Sequence, residues 1–246
     1  IIATENSSIG MGGPAMVQGG GLGSFRPEEI GPVSVQASNG VIDILVKDEQ
    51  VAVAKAKQYL SYFQGDLSDG KCADQEKLRY ALPENRKFAY DPRVLIDLFA
   101  DKGSVLELRA DFARNMVTAL LRIDGLACGL IANNPQHLGG AIDSDASDKA
   151  ARFMQLCDAF GLPILSLCDT PGFMVGPECE KTAAVRHTSR MFVVGASLQV
   201  PILTIVTRRA YGLGAMAMAG GSLHESLFTI SLSLIHISEP TRQLCI

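Results

Sequence analysis

The chain has 246 residues, 47% of them hydrophobic and 20% charged, with a formal net charge of −4. That balance supports a buried core and excludes intrinsic disorder. It also gives no basic field to hold nucleic acid or an acidic membrane. No uncharged apolar run reaches the ~18 residues of a membrane span, and the longest, Met191 to Val206, carries Gln199 and Pro201. The start, Ile1 to Thr4, has no basic leader, so the expected compartment is the cytoplasm. The cysteines, at 72, 128, 157, 168, 179 and 245, form no C-x-x-C pair, so reduced core thiols are expected rather than a metal site.

The opening reads as the inside of a strand, and residues 5–48 are rich in glycine and serine. Asn6 to Pro14 and Gly19 to Gly23 are loop material. Val41 to Val46 is a candidate strand with Ile42 and Ile44 on one face. Asp48 then leads a helix through Phe63, whose apolar stripe is Val51, Ala54, Leu60 and Phe63. Residues 64–90 are polar, carry Gly65, Gly70 and Pro83, and read as an inter-domain linker. Asp91 and Pro92 open a short helix with Val94, Leu95, Leu98 and Phe99 inward.

From Ser104 onward strands alternate with helices. The expected strands are Val105 to Leu108, Val117 to Ile123, Cys128 to Ile131, Ile164 to Cys168 and Ile202 to Val206. A helix from Ser147 to Phe160 carries a buried stripe of Ala150, Phe153, Met154, Cys157 and Phe160. A loop over 169–181 and a helix from Thr182 to Leu198 follow. A glycine loop at 212–214 then leads into a last helix near Ala215. The alternation points to an α/β fold with its site on the loops at the strand ends. Leu232 to Arg242 resembles a translated sequencing adapter, so residues 232–246 are expected to be a non-native tail; an edge strand is the alternative.

Three loops carry the chemistry. Asn133-Asn134-Pro135 leads into Gly139 and Gly140, where missing side chains let a ligand approach the backbone; an ordinary turn explains them equally well. Thr170, Pro171, Gly172, Phe173, Met174 and Gly176 build a stiff wall whose apolar residues suit a pocket or a subunit contact. Tyr211-Gly212-Leu213-Gly214 enters a helix of small residues, and amides at a helix start make an anion cradle fit for an oxyanion. Its match to G-x-G-x-x-A is weak, because Arg208 to Tyr211 separate strand from glycine and no acidic residue follows at the needed distance. His187, beside Arg186 and Arg190, reads as a solvated or interface face, and no G-x-S-x-G is present.

These stretches resemble the carboxyltransferase component of biotin-dependent acyl-CoA carboxylases. The residues that carry the resemblance are Asn133 to Pro135, Asp145 to Phe153, Cys157 to Phe160, Thr170 to Gly176 and Arg209 to Ala215. It implies a crotonase-like β-β-α superhelix. Residues 1–63 would end a first, acyl-CoA-side domain, 64–90 would link, and 91–231 would form most of a second, biotin-side domain. The implied chemistry is carboxyl transfer from carboxybiotin, held on a biotin carrier protein charged by a biotin carboxylase, to the α-carbon of an acyl-CoA, without a metal.

By position, the resemblance makes the backbone N–H groups of Leu213 and Gly214 the oxyanion hole, with Gly212 allowing the turn. Asn134, Gly139, Gly140, Thr170, Pro171, Gly172, Phe173, Gly176 and Tyr211 would line the biotin side. Met216 would stand where acyl choice is made. The resemblance further implies a homo-oligomer with the site across a dimer interface, and no contact with nucleic acid or membrane. The first-domain Gly-Gly motif of the family pattern is missing, so the fragment is expected to be inactive alone; Leu213 stands where many relatives have Gly or Ala, which matters little for a backbone donor if the loop geometry holds. The alternatives are a biotin-dependent decarboxylase subunit of a sodium pump and a non-catalytic assembly subunit. A crotonase-type hydratase would need a Glu or Asp base that these loops lack.

Overall fold

The structure, a computed structural model, describes residues 1–232 except 69, 86 and 225. Expectations for the tail beyond 232, including Cys245, lie outside the described residues. The elements in chain order begin with β1 (Ile2–Thr4), α1 (Pro14–Gly19), α2 (Val33–Ser38), β2 (Ile44–Val46), α3 (Glu49–Ser61) and α4 (Pro92–Phe99). Then come β3 (Leu106–Leu108), β4 (Met116–Ile123), β5 (Leu126–Asn133), α5 (Ser144–Ala159), β6 (Ile164–Thr170), α6 (Pro177–Lys181) and α7 (Ala184–Gly195). β7 (Ile202–Ala210), α8 (Gly212–Met218) and β8 (Phe228–Ser231) complete the described residues.

β1 and β2 pair in parallel as a small sheet. The main sheet has the order β3-β4-β5-β6-β7-β8. β3, β4 and β5 pair antiparallel, and β5 to β8 pair in parallel. Its central strands are buried on both faces, which is why they read as apolar runs rather than as an alternation. Ile164 and Cys168 of β6 meet α5 residues Phe153, Met154 and Cys157 on one face, while Leu167 joins Ile96, Leu121 and Leu130 on the other. A separate cluster of Ala3, Val33, Ala37 and Ile42 serves the small sheet.

Several local expectations are corrected. Ile42 and Ile44 do not share a face: Ile42 joins the small cluster and Ile44 packs on the main core. No residue of α3 is buried, and Val51 and Leu60 of its expected stripe are exposed. Tyr59 and, just past the helix, Phe63 of that stripe pack on the main core, and polar groups beside them tie the helix down. Gln58 donates to the Gly103 and Val105 carbonyls, and the Tyr62 hydroxyl to Ser104.

In α4, Asp91 caps the Arg93 amide, but Ile96 is buried where Val94 is exposed. α5 begins at Ser144 because Asp143 accepts from the Ala146 amide, and Phe160 lies outside its stripe, exposed and stacked on Phe63. The 169–181 loop is shortened from both sides, by β6 running to Thr170 and by α6. The 64–90 segment holds a 3-10 turn at Gln75–Tyr80, and Tyr90 is anchored by a hydrogen bond to Thr207.

Candidate active site

The parallel strands β5, β6 and β7 end side by side, and their following loops gather at the carboxyl ends, where ligands of parallel sheets bind. β7 runs to Ala210, four residues past the expected end, so Tyr211 alone separates strand from helix. The glycines are not a loop before α8 but its first turn. The Tyr211 amide donates to the Thr170 carbonyl at 3.2 Å, and the Ala215 amide to the Tyr211 carbonyl at 3.4 Å. The amides of Gly212, Leu213 and Gly214 lie between these and precede the first intrahelical partner, as first-turn amides do.

The three loops touch. Gly214 lies against the 170–174 loop so closely that a Cβ would come within 2.8 Å of Gly172 and 3.0 Å of the Phe173 nitrogen. The Ile142 amide donates to the Gly172 carbonyl at 3.0 Å, and the Met174 amide donates back to the Ile142 carbonyl at 2.8 Å. Gly140, at φ 82°, packs on the Asp169 carbonyl, where a Cβ would sit 2.4 Å away. Only glycine combines that left-handed backbone with that approach.

The expected residues divide by place. Tyr211, Gly212, Leu213, Pro171 and Gly139 are exposed at the mouth, while Gly140, Thr170, Gly172 and Gly214 are buried beneath it. Gly176 and Met216 are half-buried. Phe173 leans away on Phe192 and the core rather than presenting its ring to the mouth. Asn134 is wholly buried: its amide donates to the Arg114 carbonyl and accepts from the Gln136 nitrogen. It shapes the turn and does not face the opening.

Met174 borders an adjoining cleft of about 380 Å³ with Asp143, Asp145 and His187. His187 is half-buried and hydrogen-bonds Asp148 at 2.8 Å, and Arg190 pairs with the same carboxylate, so this group is a helix–helix tie between α5 and α7. Among the described residues, no three His, Cys, Asp or Glu side chains gather as a metal would need. No described helix is long and apolar enough to cross a membrane.

Sequence reading missed the group that holds the loops together. Asp169, wholly buried, accepts from Arg208 Nε at 2.9 Å and from Arg209 Nε at 2.8 Å. Arg209 also reaches the Gly139 carbonyl at 2.6 Å. The available signal was a pair of arginines at the end of an apolar strand, which reads as loop unless a buried partner is known.

The sequence profile of the carboxyl transferase domain family matches residues 1–238. An uncharacterized carboxylase of Bacillus subtilis is 36% identical over 89% of this chain and 45% of its own length. The methylmalonyl-CoA carboxyltransferase 12S subunit of Propionibacterium freudenreichii is 32% identical over 91% of this chain and 44% of its own length. Among solved structures, a single-chain, multi-domain long-chain acyl-CoA carboxylase superposes with a TM-score of 0.92 at 57% identity. That match covers 94% of this chain and 23% of the other. The transcarboxylase 12S hexamer superposes with a TM-score of 0.82 at 31% identity, covering 94% and 47%. The chain thus spans about half the length of the curated relatives it matches. Its mixed α/β architecture is the crotonase-like fold of these structures. With the loops at its strand ends and its whole described length accounted for by one profile, the chain belongs to the carboxyl transferase domain family.

Proposed function

We propose that this chain is part of an enzyme that transfers a carboxyl group from carboxybiotin, carried on a biotin carrier protein charged by a biotin carboxylase, to the α-carbon of an acyl-CoA. The observation that carries this reading is the row of first-turn amides at Gly212, Leu213 and Gly214, set against the Gly172 wall and unspent on the helix. Such amides stabilise an anion without any side-chain acid or base. Bound carboxybiotin supplies the carboxyl group and, once it is released, a basic ureido nitrogen. The residues present fit that group, because the exposed Gly139 and Gly212 leave open space at the mouth, where no atom lies within 4 Å of the Cβ position.

The Leu213 and Gly214 amides hold the ureido oxygen. Gly139, Gly140, Thr170, Pro171, Gly172, Gly176 and Tyr211 shape the biotin side, and Met216 borders it at half-burial. Asn134 and Phe173 act from behind, through the turn and the core. Residues 1–63 belong to an acyl-CoA-side domain, 64–90 to a linker and 91–231 to the biotin-side domain. The separate small sheet and its own apolar cluster support this division. A homo-oligomer with the site across a dimer interface, working in the cytoplasm without metal, completes the proposal.

The test is transfer of labelled carboxyl from carboxybiotin by the intact protein with its carrier. Acetyl-, propionyl-, methylcrotonyl- and a long-chain acyl-CoA form the panel, the last because of the 57% identical carboxylase. Transfer to any of them supports the reading. Transfer to none overturns it.

A further inference from the structure

Asp169 is held by two arginines that diverge. Arg208 Nη1 reaches the Phe88 carbonyl at 2.7 Å and ties down the segment before α4. Arg209 takes the opposite direction, to the Gly139 carbonyl at 2.6 Å. That carbonyl lies on a turn in which Leu138, Gly139 and Gly140 all have positive φ, at 50°, 61° and 82°. The two glycines take that backbone freely, but Leu138 keeps it only when its surroundings hold it. Arg209 is also two residues before Tyr211, whose amide is fixed on Thr170. One guanidinium therefore spans the gap between the Gly139–Gly140 turn and the strand that delivers the first turn of α8. The buried Asp169 carboxylate keeps that guanidinium in place, its own amide donating to Asn133 Oδ1 at 3.1 Å.

We propose that Arg209 is a positioning residue: by donating to Asp169 and to the Gly139 carbonyl at once, it sets the distance between the glycine turn and the α8 amides. It touches no reacting atom. The inference rests on the carboxyl-transfer reading for its kinetic consequence, but not for its structural one. The planar fork fixes the separation of the two acceptors, which a lysine ammonium, a single point charge with freely rotating donors, does not.

The experiment uses Arg209→Lys and Arg209→Met in the intact protein. Amide hydrogen exchange is followed over 136–142, and kinetics of the reverse transfer are measured with free biotin as acceptor and a carboxylated acyl-CoA as donor, each varied. Arg209→Lys keeps a cation on Asp169 and so guards against a folding defect in Arg209→Met. The expected result is faster exchange at 139–141 in both variants, with β6 and β7 protection and the melting temperature held in Arg209→Lys. kcat falls about 10- to 100-fold, KM for biotin rises, and KM for the carboxylated acyl-CoA stays put. Wild-type exchange at 139–141 in Arg209→Lys overturns the proposal. So does a loss that falls equally on both substrates together with a lowered melting temperature. If the wild-type protein shows no biotin-dependent turnover, the carboxyl-transfer reading fails, and the exchange data alone decide the role of Arg209.

Discussion

At Gly214 two features meet in one residue: an amide in the first turn of α8 and an α-carbon pressed on Gly172. Any side chain there moves the 170–174 loop, so Gly214→Pro confounds the loss of a donor with a clash. Leu213 is the cleaner position, since its side chain is 61% exposed and the first helical turn tolerates proline. Leu213→Pro should slow release of CO₂ from carboxybiotin by about 100-fold at an unchanged melting temperature. An unchanged rate would place the anion on other donors. The thiols carry a second expectation. Burial pushes Cys128, Cys157 and Cys168 up to about 12 from an ordinary 9.0. Between those values the unfolded chain has released thiol protons that the folded chain still holds. The unfolded state then binds fewer protons, and stability falls as pH rises from 9.0 toward about 12. Urea midpoints should decline over that window, and Cys128→Ala should shrink the decline. A thiol reagent at neutral pH should find Cys72 and Cys179 before the three buried cysteines.

Elements were legible where one face or one period dominates. The α5 stripe of Ala150, Phe153, Met154 and Cys157 is buried as its spacing demands. The helix starts earlier than periodicity alone suggests, because Asp143 accepts from both the Ala146 amide and Asn115 Nδ2. Asp143→Ala should therefore cost more than the ~1 kcal/mol of a simple cap, read as a fall in the urea midpoint. A loss below that would mean the Asn115 contact contributes nothing. The β7–α8 junction was illegible for a different reason. Arg208 and Arg209 look like the end of a strand, yet β7 continues through them because Asp169 on the neighbouring strand pairs with both. Nothing local announces a partner 39 residues away. The α3 face failed similarly. Gln58 on its inner side is held by main-chain carbonyls at Gly103 and Val105, which leave no trace in hydropathy. The three site loops were found because glycine, proline and asparagine mark them. The frame that joins them was missed because it is made of ordinary charged residues.

The two sheets meet at the turn over 109–113, where Asp43, beside β2, binds Arg109. The Arg109 amide donates to the Asp43 carbonyl at 2.6 Å, and its guanidinium pairs with the Asp43 carboxylate at 2.9 Å. The turn holds two non-glycine residues in left-handed backbone, Arg109 at φ 56° and Ala113 at φ 44°. Each such residue costs about 1–3 kcal/mol unless something compensates. Lys149 of α5 supplies that compensation from below: its Nζ donates to the carbonyls of Arg109 at 2.8 Å, Phe112 at 2.7 Å and Ala113 at 3.4 Å. Burial pulls this lysine down to about 7, with the charge of Glu107 opposing that pull. Lys149→Met fills the same space but leaves the Phe112 carbonyl without a donor, while the Arg109 and Ala113 carbonyls keep only the Phe112 and Met116 amides, at a cost of about 1–3 kcal/mol. The strained turn then loses its support from α5, and the peptide bond after Arg109, now protected by a side chain only 10% exposed, opens. Lys149→Met should lower the urea midpoint and admit trypsin after Arg109, while the wild-type chain resists cleavage there. A variant with the wild-type midpoint and wild-type resistance would show that the Asp43–Arg109 pair holds the join without help from α5.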